Sequence, residues 1–200
     1  EGFSQYDLRA FENPVWMYAG ARYALTQKGR STECLGCFTP DFGAFGAWWQ
    51  QYFLRHPCRE GAGAMPVYLP LPSALDAMDT VAQGKDQRVF ETLLQVPERG
   101  FQKVNIEMDW KDYDGLGFLA GKTLLDAQEG SFQAVLQAHT DLDVPVIQVS
   151  MQTLDAAGVG ELFYFFELAG AISACACGVD PFDGACAGAS RALAKQLLGG

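Results

Sequence analysis

The stretch from Val144 to Arg191, VPVIQVSMQTLDAAGVGELFYFFELAGAISACACGVDPFDGACAGASR, constrains the fold of this chain more than any other. In Val144 to Val149 apolar residues crowd around Pro145 and Gln148, which predicts a strand covered on both faces. From Asp155 to Cys177 the apolar side chains Leu162, Phe163, Phe165, Phe166, Leu168 and Ile172 fall on nearly every side, and a helix apolar all round is a buried one. Glu161, Glu167 and Ser173 break its apolar run below the roughly 18 residues that a membrane span needs, so the reading is the core helix of a soluble domain. Gly178 supplies a helix stop, and Pro181 keeps the helix from resuming.

The rest of the chain alternates helix and strand. Val15 to Gln27 has a helical pattern, and Ser31 to Phe38 reads as a strand. A helix opening at Pro40 carries Phe42, Phe45, Trp48, Trp49, Tyr52 and Phe53 at spacings of three and four, which is core spacing. Met65 to Leu69 reads as a strand, and Ser73 is placed to cap a helix running to Gln83. Arg88 to Val96 and Gln102 to Met108 then read as two strands whose short Pro97 to Gly100 link favours antiparallel pairing. Thr123 to Thr140 is helical, and the strand at Val144 is expected at the centre of the sheet. These elements predict one α/β domain over 1–200, a three-layer α/β/α sandwich on a mostly parallel five-stranded sheet. A polar segment occupies 1–14, and a C-terminal helix 184–200.

A net charge of -10 opposes binding to nucleic acid or anionic membrane, while leaving room for a small anion held by a local basic cluster. Cys34 and Cys37 are spaced CxxC, but residues three apart in a strand point to opposite faces, and no second pair at ligand spacing exists. Six cysteines and no opening signal peptide predict reduced, mostly buried thiols and a cytoplasmic setting. Glu107, Asp109, Asp112 and Asp114 lack the calcium-loop pattern, and the EGAGA at 60–64 lacks the glycine spacing and Lys of a phosphate loop. No metal or cofactor is expected.

Several segments, in this order and at these separations, resemble the glucose-6-phosphate isomerase family in the form typical of Firmicutes-like bacteria. They are AWWQQYF at 47–53, RVFETLLQV at 88–96, DGLGFLAGKT at 114–123, QAHTDLDVP at 137–145, ELFYFFELAGAIS at 161–173 and GVDPFD at 178–183. The resemblance spans essentially all 200 residues but only the second half of a usual member. It implies the second sugar-isomerase (SIS) domain and the C-terminal tail. Such enzymes move a proton between adjacent sugar carbons through an enediol, which requires a base, a ring-opening group and donors for the developing oxyanion. In the family this site lies between domains and subunits.

Carried over residue by residue, the resemblance implies a disabled site. Counting without gaps from Phe53, the family's proton-transfer glutamate falls on Arg55, which cannot serve as a base at neutral pH. The ring-opening histidine falls on Asp76. After GVDPFD the family's glutamine is Gly184, its lysine aligns with Arg191, and its Ser/Thr-rich phosphate loop belongs to the half upstream. Each remaining polar residue has two readings. Asp183 is a helix cap or a substrate contact, and Asp76 a solvated carboxylate or a replacement base. Arg55, His56, Arg59 and Arg191 are surface charges or a new anion site, with His56 able to titrate near neutrality. His139, at a helix end, is explained by the helix dipole. The expected function is a hexose-phosphate-binding or regulatory domain without independent isomerase activity. The alternatives are half of an enzyme completed by another domain or chain, and a structural or homodimerising module.

Overall fold

The computed structural model describes residues 12–55, 61–84, 88–96, 104–107, 111–151, 153–182 and 189–198. Helix α1 (Pro14–Gln27) starts where the Asn13 side chain accepts the Val15 N–H at 2.9 Å, with proline in the first turn, where its missing N–H costs nothing. Strand β1 (Thr32–Cys37) follows, and a 3-10 turn (Pro40–Phe42) leads into α2 (Gly43–Arg55). Then come β2 (Met65–Pro70), α3 (Leu75–Gln83), β3 (Val89–Gln95), α4 (Leu124–Asp141), β4 (Val146–Ser150), α5 (Ala156–Ala176) and α6 (Ala189–Leu197). Thr123 and Asp126 form a reciprocal capping box at the start of α4, and the Asp155 carboxylate caps α5 by accepting the Gly158 N–H at 2.8 Å.

The strands lie in the order β2-β1-β3-β4, all parallel. Parallel neighbours require crossover connections, and here they cover both faces of the sheet. On one face Leu35, Cys37 and Leu94 pack against Val15 and Tyr18 of α1, Trp49 and Phe53 of α2, and Phe166 of α5. On the other, Leu93 packs with Met78 of α3 and with Phe132 and Val135 of α4. The result is the expected three-layer α/β/α sandwich. From β1 the chain steps outward to β2 and then returns across β1 to β3, so the winding reverses between β1 and β3. Ligands of open α/β sheets bind at such a reversal, beyond the carboxyl ends of the strands.

Four expectations need correction. The described sheet has four strands rather than five. Of the segment read as a strand over Gln102 to Met108, the described part forms only an isolated antiparallel bridge between Asn105 and Thr123, clasping the loop before α4. Arg88 to Val96 therefore has no hairpin partner there; as β3 it pairs in parallel with β1 and β4. The strand near Val144 is β4 at the edge of the sheet, and most of its residues are only half-buried. Ser73 does not cap α3: its hydroxyl donates back to the Pro70 carbonyl, and α3 begins at Leu75 without a side-chain cap.

Helix α5 is long and apolar enough to cross a membrane by length and composition, but here it packs on α1 and α2. It is not buried all round. Leu162, Phe166, Ala169, Gly170, Ser173 and Ala174 form the buried stripe, while Tyr164, Glu167 and Cys175 are exposed. Cys34 and Cys37 are buried free thiols on opposite faces of β1, as their spacing requires.

Candidate functional site

Two buried carboxylates stand on the two central strands. Glu33 of β1 points to the α1 face and is fully buried, a position a carboxylate holds only when paired and hydrogen-bonded. It accepts from the Tyr18 hydroxyl at 2.6 Å, the Thr92 hydroxyl at 2.7 Å and Nε of Arg22. The guanidinium carbon of Arg22 lies 4.2 Å from the centre of the Phe53 ring. Burial is the largest influence on the Arg22 guanidinium and pulls it toward neutrality, but the Glu33 charge, Tyr18 and the hydrogen bond to Glu33 together outweigh it and the net shift is upward. Burial, reinforced by Glu33, pushes the Tyr18 phenol well above its ordinary value.

On the opposite face Glu91 of β3 is equally buried and accepts from Nδ1 of His139 at 2.8 Å. The other ring nitrogen faces Asp79 Oδ1 at 2.9 Å. Only the doubly protonated imidazolium can donate to both carboxylates. Hydrogen bonding to Glu91, supported by Asp79 and opposed by burial, raises the His139 pKa. The reading of His139 as a helix-end residue explained by the dipole is thereby corrected: it is 1% exposed, inside the α3-α4 layer. The sequence did hold a signal. Glu33 and Glu91 are each the one charged residue in a largely apolar strand, and such a charge requires a buried partner.

Neither network opens on a ligand. Their charged groups face one another, Asp79 alone being open to solvent at 42% exposure, so they hold helices to the sheet. Among the described residues, no group of three or more His, Cys, Asp and Glu side chains is placed to hold a metal.

Of the residues singled out from the sequence, Arg55 and Asp76 do not come together within one chain. Helix α2 leaves the carboxyl end of β1 and delivers the chain to the amino end of β2, so Arg55, its last residue, sits exposed at the amino edge of the sheet. Asp76 lies in the first turn of α3, which leaves the carboxyl end of β2; it too is exposed. The six-residue strand between these edges spans roughly 20 Å. Arg55 and Asp76 therefore cannot meet on one small ligand in a single copy. His56, Asp183 and Gly184 lie outside the described residues, as does Arg59. Arg191 belongs to α6.

A groove of about 500 Å³ runs along the outer edge of β4, between α1 and α5. Met17, Ile147, Val149, Leu162 and Phe165 are among its lining, and Glu161 is the one charged residue in it. It lies on the α1 face, away from both Arg55 and Asp76.

No family model matches the chain. Relatives do. Glucose-6-phosphate isomerase of Clostridium tetani is 35% identical over 172 residues, covering 86% of this chain and 38% of its own length. That of Shouchella clausii is 36% identical over 183 residues, covering 92% of this chain and 40% of its own. A solved structure, a hypothetical protein from Thermus thermophilus, superposes with a TM-score of 0.77 at 16% identity, covering 96% of this chain and 51% of that one. At that identity the likeness carries the fold alone. The sequence matches carry more: this chain is glucose-6-phosphate isomerase-like over nearly nine-tenths of its length, and spans about two-fifths of the length of the curated relatives it matches.

Proposed function

We propose that this chain is a cytoplasmic sugar-phosphate-binding or regulatory domain of isomerase ancestry that lacks isomerase activity of its own. The supporting observation is the pairing of Arg55 with Asp76. The position that the resemblance aligns with the family's base holds a permanent cation, and the position it aligns with the ring-opening histidine holds an exposed carboxylate. An enediol mechanism needs a base that accepts a proton from the substrate carbon, and a guanidinium cannot accept one. A cation at the former base position favours an anionic sugar phosphate electrostatically, so binding can outlast turnover.

The test is calorimetric titration with glucose 6-phosphate and fructose 6-phosphate beside a coupled isomerase assay. Saturable binding without turnover is expected. Turnover by the purified chain would overturn the loss of activity, and absence of binding at millimolar ligand would overturn the sugar-phosphate-binding role. A second reading, half of a two-part isomerase, is favoured by the coverage of only 38 to 40% of the relatives' length. It requires activity to appear when a chain carrying the remaining part is added.

A further inference from the structure

The two edges of the sheet are built differently. Edge strand β2 reads Met65-Pro66-Val67-Tyr68-Leu69-Pro70, and its prolines remove N–H donors and guard against a further strand. Edge strand β4 reads Val146-Ile147-Gln148-Val149-Ser150, with neither proline nor charge. The Glu91 N–H donates to the Pro145 carbonyl and the Met151 N–H to the Gln95 carbonyl, so odd-numbered residues bond inward to β3. With the period of two, the N–H and C=O groups of Val146, Gln148 and Ser150 point outward, and no described strand receives them.

The groove of about 500 Å³ between α1 and α5 runs along this edge, and one carboxylate stands in it. Glu161 is half-buried next to Leu162 and within a turn of Phe165, and it has no hydrogen-bond or ion-pair partner among the described residues. Apolar walls weaken the screening of a charge, so a lone carboxylate there attracts a cation carried by whatever fills the groove.

We infer that β4 and the groove form a docking site for an extended peptide segment of a different protein, with apolar residues at alternate positions and a Lys or Arg among them. A strand added to the edge satisfies the outward N–H and C=O groups of Val146, Gln148 and Ser150. Every second side chain of that strand falls on the α1 face, level with Ile147 and Val149, and enters the groove beside Met17, Leu162 and Phe165. The side chains between them fall on the α4 face. There the Gln148 amide and the Ser150 hydroxyl already donate to Gln95 Oε1, and small polar residues fit beside them. A Lys or Arg stem lies along the apolar wall while its head reaches Glu161. Charge selects this occupant: β4 itself has no cation to offer Glu161, and the net charge of -10 draws a basic segment at longer range. So short an edge gives a contact of the small, transient class, with Kd of about 10 µM or weaker. The site is independent of any sugar-phosphate site, since Arg55 and Asp76 do not line the groove.

The test is selection of a phage-displayed library of random dodecapeptides on the immobilised chain, followed by fluorescence anisotropy with the enriched peptides. These should alternate apolar with polar residues and carry Lys or Arg. Glu161→Lys should weaken their binding at least about tenfold, and replacing the peptide's cation by Glu should restore binding to that variant alone. Gln148→Pro, which removes an outward N–H, should weaken binding likewise, whereas Met65→Lys on the guarded edge should leave it unchanged. Thermal melts check that each variant is folded; if Gln148→Pro is not, the charge exchange decides. A selection that enriches no peptide overturns the inference, as does binding indifferent to Glu161→Lys. Peptides that need Glu161 yet bind the folded Gln148→Pro variant unchanged overturn the strand pairing. Peptide binding that fades as the chain's own concentration rises gives the edge to a second copy instead and overturns it too.

Discussion

Removing one member of the Arg22–Glu33 pair should destabilise the chain far more than removing both. Both side chains are at most 3% exposed. Glu33 has three donors, and Tyr18 and Thr92 remain in place when Arg22 is replaced. Arg22→Met then leaves a carboxylate in the sheet with two neutral hydroxyl donors and no counter-charge. Glu33→Leu leaves a guanidinium against the Phe53 ring, with one terminal nitrogen already lacking a hydrogen-bond partner. Breaking a buried pair in this way costs about 3 to 5 kcal/mol, most of it the desolvation of the survivor. For a domain of this size 1 kcal/mol shifts the midpoint by about 2 to 4 °C, so each single variant should melt roughly 6 to 20 °C lower. In the double variant Arg22→Met with Glu33→Leu no charge remains to be desolvated, and its loss should be smaller than the sum of the two singles by about 2 kcal/mol or more. Denaturant melts of the four proteins at one pH close the cycle. Strict additivity, or single losses below about 1 kcal/mol, would show that water reaches the pair and that the burial argument is wrong.

Other outcomes follow from the same packing. The imidazolium of His139 bridges Glu91 and Asp79, and its pKa is raised from the ordinary 6.5, so its contribution to stability is complete below about pH 6.5 and is lost as pH rises through the raised value. Wild type should thus lose melting temperature between neutral and alkaline pH, relative to His139→Gln, and parallel pH profiles would refute the bridge. Gly46 packs its α carbon under Tyr68, where an added Cβ would lie 2.2 Å from the ring. Gly46→Ala should therefore cost about 1 to 3 kcal/mol despite alanine's helix preference, and a stabilised variant in urea melts would contradict this. Thr123→Ala breaks the α4 capping box and should cost about 0.5 to 2 kcal/mol, measured the same way.

The layers of the fold were legible because hydrophobic period reports them directly. The aromatic spacing from Phe42 to Phe53 places α2 on the sheet, and Thr123 with Asp126 marks the start of α4. What periodicity does not carry is position within the sheet. Val146 to Ser150 reads as a central strand because it lacks charge, yet it lies at an edge, since nothing local records which neighbour a strand will find. The same blindness hid His139: its partners Glu91 and Asp79 are 48 and 60 residues away. The resemblance offers a site only as substitutions at aligned positions, and the separation of Arg55 from Asp76 is a property of strand direction, visible only once the parallel order is known.

These failures share one cause, which bears on function. In an isolated layered domain, an uncharged strand with outward N–H and C=O groups is a liability that proline or lysine normally blunts. The chain applies that remedy at β2 and omits it at β4. Likewise α5 is more apolar than its own contacts require, with Tyr164 at 38% exposure and Phe165 lining the open groove. The composition of β4 and α5 thus describes surroundings more buried than the described residues supply. If a peptide strand covers β4, the amide hydrogens of Val146, Gln148 and Ser150 should exchange more slowly as a selected peptide is added, while those of β2 stay constant. Exchange unmoved by peptide at all three positions would mean that the apolar edge is simply exposed.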